Sequence, residues 1–157
     1  MKYNFRIKSL DELNSLAKLI ANNLEKTDVI ALQGGLGSGK TAFSRLLIQE
    51  MANSEIVVTS PTFNILNIYN LDDVGVDLYH YDLYRIEDEN EIYELALDDA
   101  LSSGITLIEW SDIIKNQLPE KTIFFEISPI KDGDNNEREI SISSSGKDLK
   151  FLNDFNN

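Results

Sequence analysis

Between a short apolar run and a segment with helical periodicity the chain carries Gly34-Gly35-Leu36-Gly37-Ser38-Gly39-Lys40-Thr41. This stretch fits G-x-x-x-x-G-K-[ST] in full, the pattern of a loop that cradles phosphate. Each position has a physical reason. Glycines let the backbone curl until successive N–H groups point inward at phosphate oxygens. A helix that begins near Lys40 adds the positive end of its dipole. Lys40 is placed to neutralise the β- and γ-phosphates, and Thr41 to offer its hydroxyl to magnesium. The expected ligands are therefore ATP or ADP with Mg2+. The expected binding residues run from Gly35 through Leu36, Gly37, Ser38 and Gly39 to Lys40 and Thr41.

A phosphate loop must sit between a buried strand and a helix. Val29-Ile30-Ala31-Leu32, within Asp28 to Gln33, is a short apolar run suited to a buried strand. Lys40 to Met51 reads as helix. Earlier, Tyr3 to Ile7 alternates as a short strand, and Ser9-Leu10-Asp11-Glu12 spells a capping box. Leu10, Leu13, Leu16, Ala17, Ile20 and Leu24 then follow at helical spacing. Phe63 to Leu71 and Val76 to Tyr84 read as strands around an Asp72-Asp73 turn. Glu87 to Leu101 reads as acidic helix and Ile105 to Glu109 as a buried strand. Thr122 to Ser128 and Glu139 to Ser145 read as a late strand pair around an exposed loop, Lys131 to Glu137. The tail after Lys147 reads as a short helix or a frayed end. Early strands alternating with helices, then antiparallel pairs, predict one α/β domain over residues 1–157. Its expected form is three-layered and P-loop NTPase-like, with a mixed, mostly parallel central sheet.

Composition narrows the function classes. Acidic residues outnumber basic ones 27 to 14, a formal charge of −13. Phosphate backbones are bound through Lys and Arg, so autonomous nucleic-acid binding is not expected. The acidity serves solubility, with a basic protein partner as the sharper alternative. There is no cysteine, which removes thiolate metal sites, disulfides and thiol catalysis. No run approaches ~18 apolar residues, and the N-terminus lacks the apolar core of a secretory signal. A cytoplasmic protein without a membrane segment is the expectation.

Magnesium beside such a loop needs a carboxylate, and ligands of open α/β sheets gather beyond the carboxyl ends of strands. Two acids are so placed: Glu109, closing Ile105-Thr106-Leu107-Ile108-Glu109, and Asp82, in Leu78-Tyr79-His80-Tyr81-Asp82. Strand alternation puts Leu78, His80 and Asp82 on one face. Either acid could orient an attacking water. His80, the single histidine, reads better as a hydrogen-bonded structural residue than as a proton shuttle. Trp110 either packs in the core or lines the site. Ser60-Pro61-Thr62 either begins a strand or forms a loop whose Thr62 senses the γ-phosphate.

The G-x-L-G-x-G-K-T loop, Ser60-Pro61-Thr62-Phe63, His80-Tyr81-Asp82-Leu83-Tyr84-Arg85 and Ile108-Glu109-Trp110, in that order, resemble the TsaE (YjeE) family. The resemblance spans roughly Leu10 to Trp110 and, less distinctively, the two late strands. It implies an Mg-dependent ATPase of tRNA threonylcarbamoyladenosine biosynthesis. Such a protein works with TsaB and TsaD, meets tRNA only through that complex, and is slow alone but stimulated by its partners. Carried over by position, the resemblance gives Lys40 to phosphate, Thr41 and Glu109 to magnesium, and Asp82 as the required acid. It sets Thr62 at a switch-like threonine and Trp110 at the tryptophan of the nucleotide site. Lys40, Thr62, Asp82 and Glu109 are thus the candidate catalytic residues. One departure concerns Gly35, where the family usually has an acid. The second glycine should loosen the free loop and weaken nucleotide affinity relative to Gly35→Asp.

Two other functions fit the loop less well, and a third overlaps with the family reading. A small-molecule P-loop kinase clamps the moving phosphoryl with arginines from a lid, and this chain has only Arg6, Arg45, Arg85 and Arg138. A GTPase switch would use D-x-x-G, and Asp72-Asp73-Val74-Gly75 matches. That segment lies in an expected hairpin turn, and no Asn-Lys-x-Asp segment accompanies it. A nucleotide-dependent scaffold, whose hydrolysis only resets a complex, overlaps with the family reading.

Overall fold

The computed structural model describes residues 1–52 and 56–155. Seven strands form one sheet: β1 (Lys2–Ile7), β2 (Val29–Gln33), β3 (Leu66–Leu71), β4 (Val76–Asp82), β5 (Ile105–Glu109), β6 (Ile123–Pro129) and β7 (Arg138–Ser143). Their order across the sheet is β1-β7-β6-β2-β5-β4-β3. The central strands β6, β2, β5 and β4 are parallel, and the outer pairings are antiparallel. Among the described residues three α-helices accompany them, α1 (Leu10–Ala21), α2 (Lys40–Ala52) and α3 (Leu97–Ser103).

Alternation along the buried strands splits the core between two faces. Ile30 and Leu32 of β2, Leu107 of β5 and Ile140 of β7 pack with Leu16 and Ile20 of α1 and Phe43 and Leu47 of α2. On the opposite face Tyr79, Tyr81 and Ile108 pack with Leu97 and Ala100 of α3. Helices on both faces of a mixed sheet make the three layers that the strand–helix alternation predicts.

α1 starts where the capping box puts it. The Ser9 hydroxyl accepts the Glu12 N–H at 3.1 Å. The Glu12 carboxylate accepts the Lys8 N–H at 2.7 Å, one residue before the Ser9 cap. The Asp72-Asp73-Val74-Gly75 segment is the β3–β4 turn: Val74 and Gly75 N–H both donate to the Leu71 carbonyl, and Gly75 has φ 73. Its glycine serves the turn.

Three expectations need correction. Phe63 to Ile65 is not strand, because Ile65 turns into positive φ (67) and its N–H closes on the Pro61 carbonyl at 2.5 Å. β3 begins at Leu66, so Ser60-Pro61-Thr62 lies in a loop. The acidic segment after Glu87 is two pieces: a 3-10 helix over Glu89–Leu95 and α3, separated by Ala96 in the left-handed region. A further 3-10 helix, Ser111–Gln117, follows Trp110 where no element was expected. The tail forms a short 3-10 helix, Lys150–Asp154, that buries Leu152; its last two residues lie outside the described ones. Among the described residues no helix is long and apolar enough to cross a membrane.

Candidate nucleotide site

Three parallel neighbours, β2, β5 and β4, end at the same edge of the sheet. Leu32 pairs with Glu109 across β2 and β5, and Asp82 pairs with Glu109 across β4 and β5. One residue past β2 the chain enters the glycine-rich loop, which delivers it into α2 at Lys40. The resulting cleft, of about 340 Å³, is lined by loop residues Leu36 to Thr41 together with Thr62, Asp82, Glu109 and Trp110. Residues spread over seventy-odd positions of sequence thus meet because parallel strands bring their ends together.

Three loop glycines have a conformation that side chains disfavour: Gly34 (φ 150), Gly37 (φ 72) and Gly39 (φ 112). At Gly34 a Cβ would also meet the Ile127 carbonyl oxygen at 2.4 Å and the Ser38 hydroxyl at 2.6 Å. Gly35 differs. It is exposed, a Cβ there meets nothing within 4 Å, and its side of the loop is not part of the cleft lining. An acidic side chain would have room at this position.

Lys40 is buried at 5% exposure. Its ammonium donates to the carbonyls of Gly34 (2.7 Å) and Gly35 (2.8 Å) and lies 4.1 Å from the Trp110 ring centroid. Burial lowers its pKa below the usual lysine value; the Glu109 and Asp82 carboxylates oppose that shift. Trp110 occupies the left-handed region (φ 57), a costly conformation for a bulky residue. That bend turns the chain back directly after β5 and sets the indole over the lysine, where cation–π attraction favours it. Tyr84 flanks the indole, ring centroids 4.9 Å apart. Trp110 thus lines the site.

Glu109 is 1% exposed and engaged on both oxygens. Oε1 accepts from the Thr41 hydroxyl at 3.0 Å, and Oε2 meets His80 Nε2 at 2.6 Å. His80 is fully buried, a hydrogen-bonded structural residue as its position on the inner face of β4 suggests. Asp82 Oδ2 accepts from the Thr62 hydroxyl at 3.0 Å, and Oδ1 accepts from the Tyr84 N–H at 3.0 Å. Thr62 in turn shares a 2.7 Å contact with the Ser60 hydroxyl. Every candidate catalytic residue therefore stands in this one cleft.

Among the described residues no group of three His, Cys, Asp or Glu forms a metal cluster. Magnesium does not require one: it takes one or two carboxylates and leaves its other positions to water and phosphate. The oxygen donors Thr41 and Glu109, already within hydrogen-bond distance of each other, fit such an ion.

One residue escaped the sequence. Arg138, the first residue of β7, donates from Nε to the Ser38 carbonyl at 2.8 Å and reaches the Gly37 carbonyl from Nη2 at 3.5 Å. A signal was available: Arg138 shares strand parity with the buried Ile140 and Ile142, so it is a charge on a core-facing row.

The sequence model of the family described as "Threonylcarbamoyl adenosine biosynthesis protein TsaE" matches residues 7–140. The chain belongs to the TsaE family. A TsaE protein of Rickettsia typhi is 43% identical over 149 residues, covering 95% of this chain and 97% of that protein. The TsaE protein of Bacillus subtilis is 38% identical, covering 90% and 85%. Both carry the name tRNA threonylcarbamoyladenosine biosynthesis protein. The crystal structure of Bacillus subtilis YdiB superposes with a TM-score of 0.68 at 31% identity, covering 93% of this chain and 87% of that one. The TsaE fold is thus shared along nearly the whole chain. Family membership sets this protein within tRNA threonylcarbamoyladenosine biosynthesis.

Proposed function

We propose that this TsaE protein binds Mg-ATP and hydrolyses it as the ATPase subunit of the tRNA-modifying machinery, acting with TsaB and TsaD and meeting tRNA only through them. The observation that carries this reading is the meeting of Lys40, Thr41, Asp82 and Glu109 around one glycine-rich loop. A recess of about 470 Å³ beside the loop supports a nucleoside ligand. Ile7, Leu10, Leu13, Ala42 and Ile127 give it apolar surface of the kind on which a purine lies, with Lys8, Asn136 and Arg138 in the same wall.

The chemistry is in-line attack of water on the γ-phosphorus. An O–P bond forms, the bond to the β–γ bridging oxygen breaks, and ADP and inorganic phosphate leave. Lys40 neutralises charge on the β- and γ-phosphates. Thr41 and Glu109 hold magnesium, which when bound withdraws charge from the phosphate oxygens. Glu109 is assigned to the metal because it lies against the Thr41 hydroxyl, the loop's own magnesium donor. That leaves Asp82, tied to the Thr62 loop, to orient the water and accept its proton. Thr62 couples that acid to a loop that a partner can order.

The rim supports a role for partners. Leu36, Phe63 and Tyr84 are 76%, 80% and 53% exposed around a cleft in a chain of charge −13. Apolar side chains so placed suit a protein that covers the site. Calorimetric titration with ATP tests the reading: binding should require Lys40 and strengthen with magnesium. Binding of GTP in preference to ATP, or no nucleotide binding, would refute it.

A further inference from the structure

Arg138 is bonded in an unusual way for a partly buried arginine. Among the described residues it forms no ion pair; the nearby Glu137 carboxylate is taken by Arg6 at 2.5 Å. Its guanidinium instead meets carbonyls on two separate segments. On the β6–β7 loop, Nη1 donates to Asn135 and Glu137 at 2.5 and 2.8 Å. On the phosphate loop, Nε donates to Ser38 and Nη2 reaches Gly37. A planar fork with five donors is the side chain suited to such a bridge.

The consequence follows from peptide geometry. A trans peptide is planar, so its N–H points opposite to its C=O. Fixing the Ser38 carbonyl toward Arg138 fixes the Gly39 N–H away from it. The Gly37–Ser38 peptide, whose carbonyl Nη2 reaches at 3.5 Å, is held at its other end as well: the Ser38 N–H donates to the Gly35 carbonyl at 3.2 Å. These peptides flank Gly37 and Gly39, both at positive φ, where the chain has most freedom to lose on ordering.

We propose that Arg138 is a positioning residue for the phosphate loop: its guanidinium pins the Gly37–Ser38–Gly39 peptides to the β6–β7 hairpin and so presents the Gly39 N–H to phosphate. This rests on the Mg-ATP reading for its ligand but not for its geometry. It also gives a physical reason why the loop keeps its shape despite a further glycine at Gly35. The positive charge, unpaired with any carboxylate among the described residues, adds attraction for the anion.

Two variants separate orientation from charge. Arg138→Met keeps the apolar stem and removes every donor; Arg138→Lys keeps the charge but cannot bridge both segments. Arg138→Met should weaken inorganic pyrophosphate, which has no nucleoside to enter the recess that Arg138 also lines, by roughly tenfold for the loss of charge-assisted hydrogen bonds, and ATP by at least as much. Arg138→Lys should recover only part of that loss. Without any ligand, the heteronuclear NOE of the Gly37, Ser38 and Gly39 amides should fall in both variants, while amides of the central strands stay unchanged. Wild-type order of these amides in Arg138→Met would overturn the proposal whatever the protein binds. Wild-type pyrophosphate affinity in Arg138→Lys would assign Arg138 to charge alone and also overturn it. Failure of wild type itself to bind ATP or pyrophosphate, with the amides loosened in the variants, would instead refute the nucleotide reading and leave the brace standing.

Discussion

Thr41 donates its hydroxyl to Glu109 at 3.0 Å, across the gap between the first turn of α2 and the end of β5. The pair joins the loop that follows one strand to the acid that ends its neighbour. It is held from behind: the other Glu109 oxygen is fixed by His80 at 2.6 Å, from the adjacent strand β4. The Glu109 carboxylate is thus held from both oxygens where it lines the cleft.

Removing the support should be felt at the metal. His80→Leu leaves a buried carboxylate oxygen without its partner, which costs about 1–3 kcal/mol of stability. Outer partners of metal-binding carboxylates affect metal affinity by roughly 10- to 100-fold. We expect the magnesium concentration for half-maximal ATP binding to rise by about tenfold in His80→Leu. Thermal unfolding and a magnesium titration check both effects; an unchanged magnesium requirement would return His80 to a purely structural role.

Asp82→Asn should separate turnover from binding. The amide keeps the shape and can still accept from the Tyr84 N–H, but it cannot take a proton from water. Hydrolysis should fall by about 100-fold or more, in the range of general-base effects, while the ATP dissociation constant stays within about threefold. Single-turnover kinetics beside calorimetry measure the two. Loss of binding with an unchanged chemical step would move Asp82 out of the reaction.

The two glycines that open the loop should respond oppositely. Gly34→Ala forces a Cβ against the Ile127 carbonyl and should destabilise the protein by roughly 2 kcal/mol. Gly35→Asp meets open space and stiffens the free loop, so nucleotide should bind about two- to fivefold tighter. Denaturant unfolding and calorimetry check the pair. Equal ATP affinities for wild type and Gly35→Asp would remove any role for loop entropy at this position.

Local signals made much of this legible in the sequence. The phosphate-loop pattern, the capping box at Ser9 and the apolar runs of β2 and β5 are each set by neighbours in the chain. Alternation also put His80 and Asp82 on one face of β4, which is where they stand. What stayed hidden depends on contacts distant in sequence. The turn at Ile65 and the break at Ala96 put non-glycine residues at positive φ, which nothing in their identity announces. The pairing of β6 with both β2 and β7, and so the approach of Arg138 to Ser38 one hundred positions away, follows from sheet order. The second partner of Glu109 was hidden too: His80 and Glu109 meet only because β4 lies beside β5.

The most direct measurement is ATP hydrolysis by wild type and Lys40→Ala, each alone and with TsaB plus TsaD from the same source. Wild type should turn over slowly with magnesium and be strongly stimulated by the two proteins together, and Lys40→Ala should be inactive in both conditions. Turnover retained in Lys40→Ala, or wild type that binds ATP yet never hydrolyses it with its partners, would contradict the ATPase assignment.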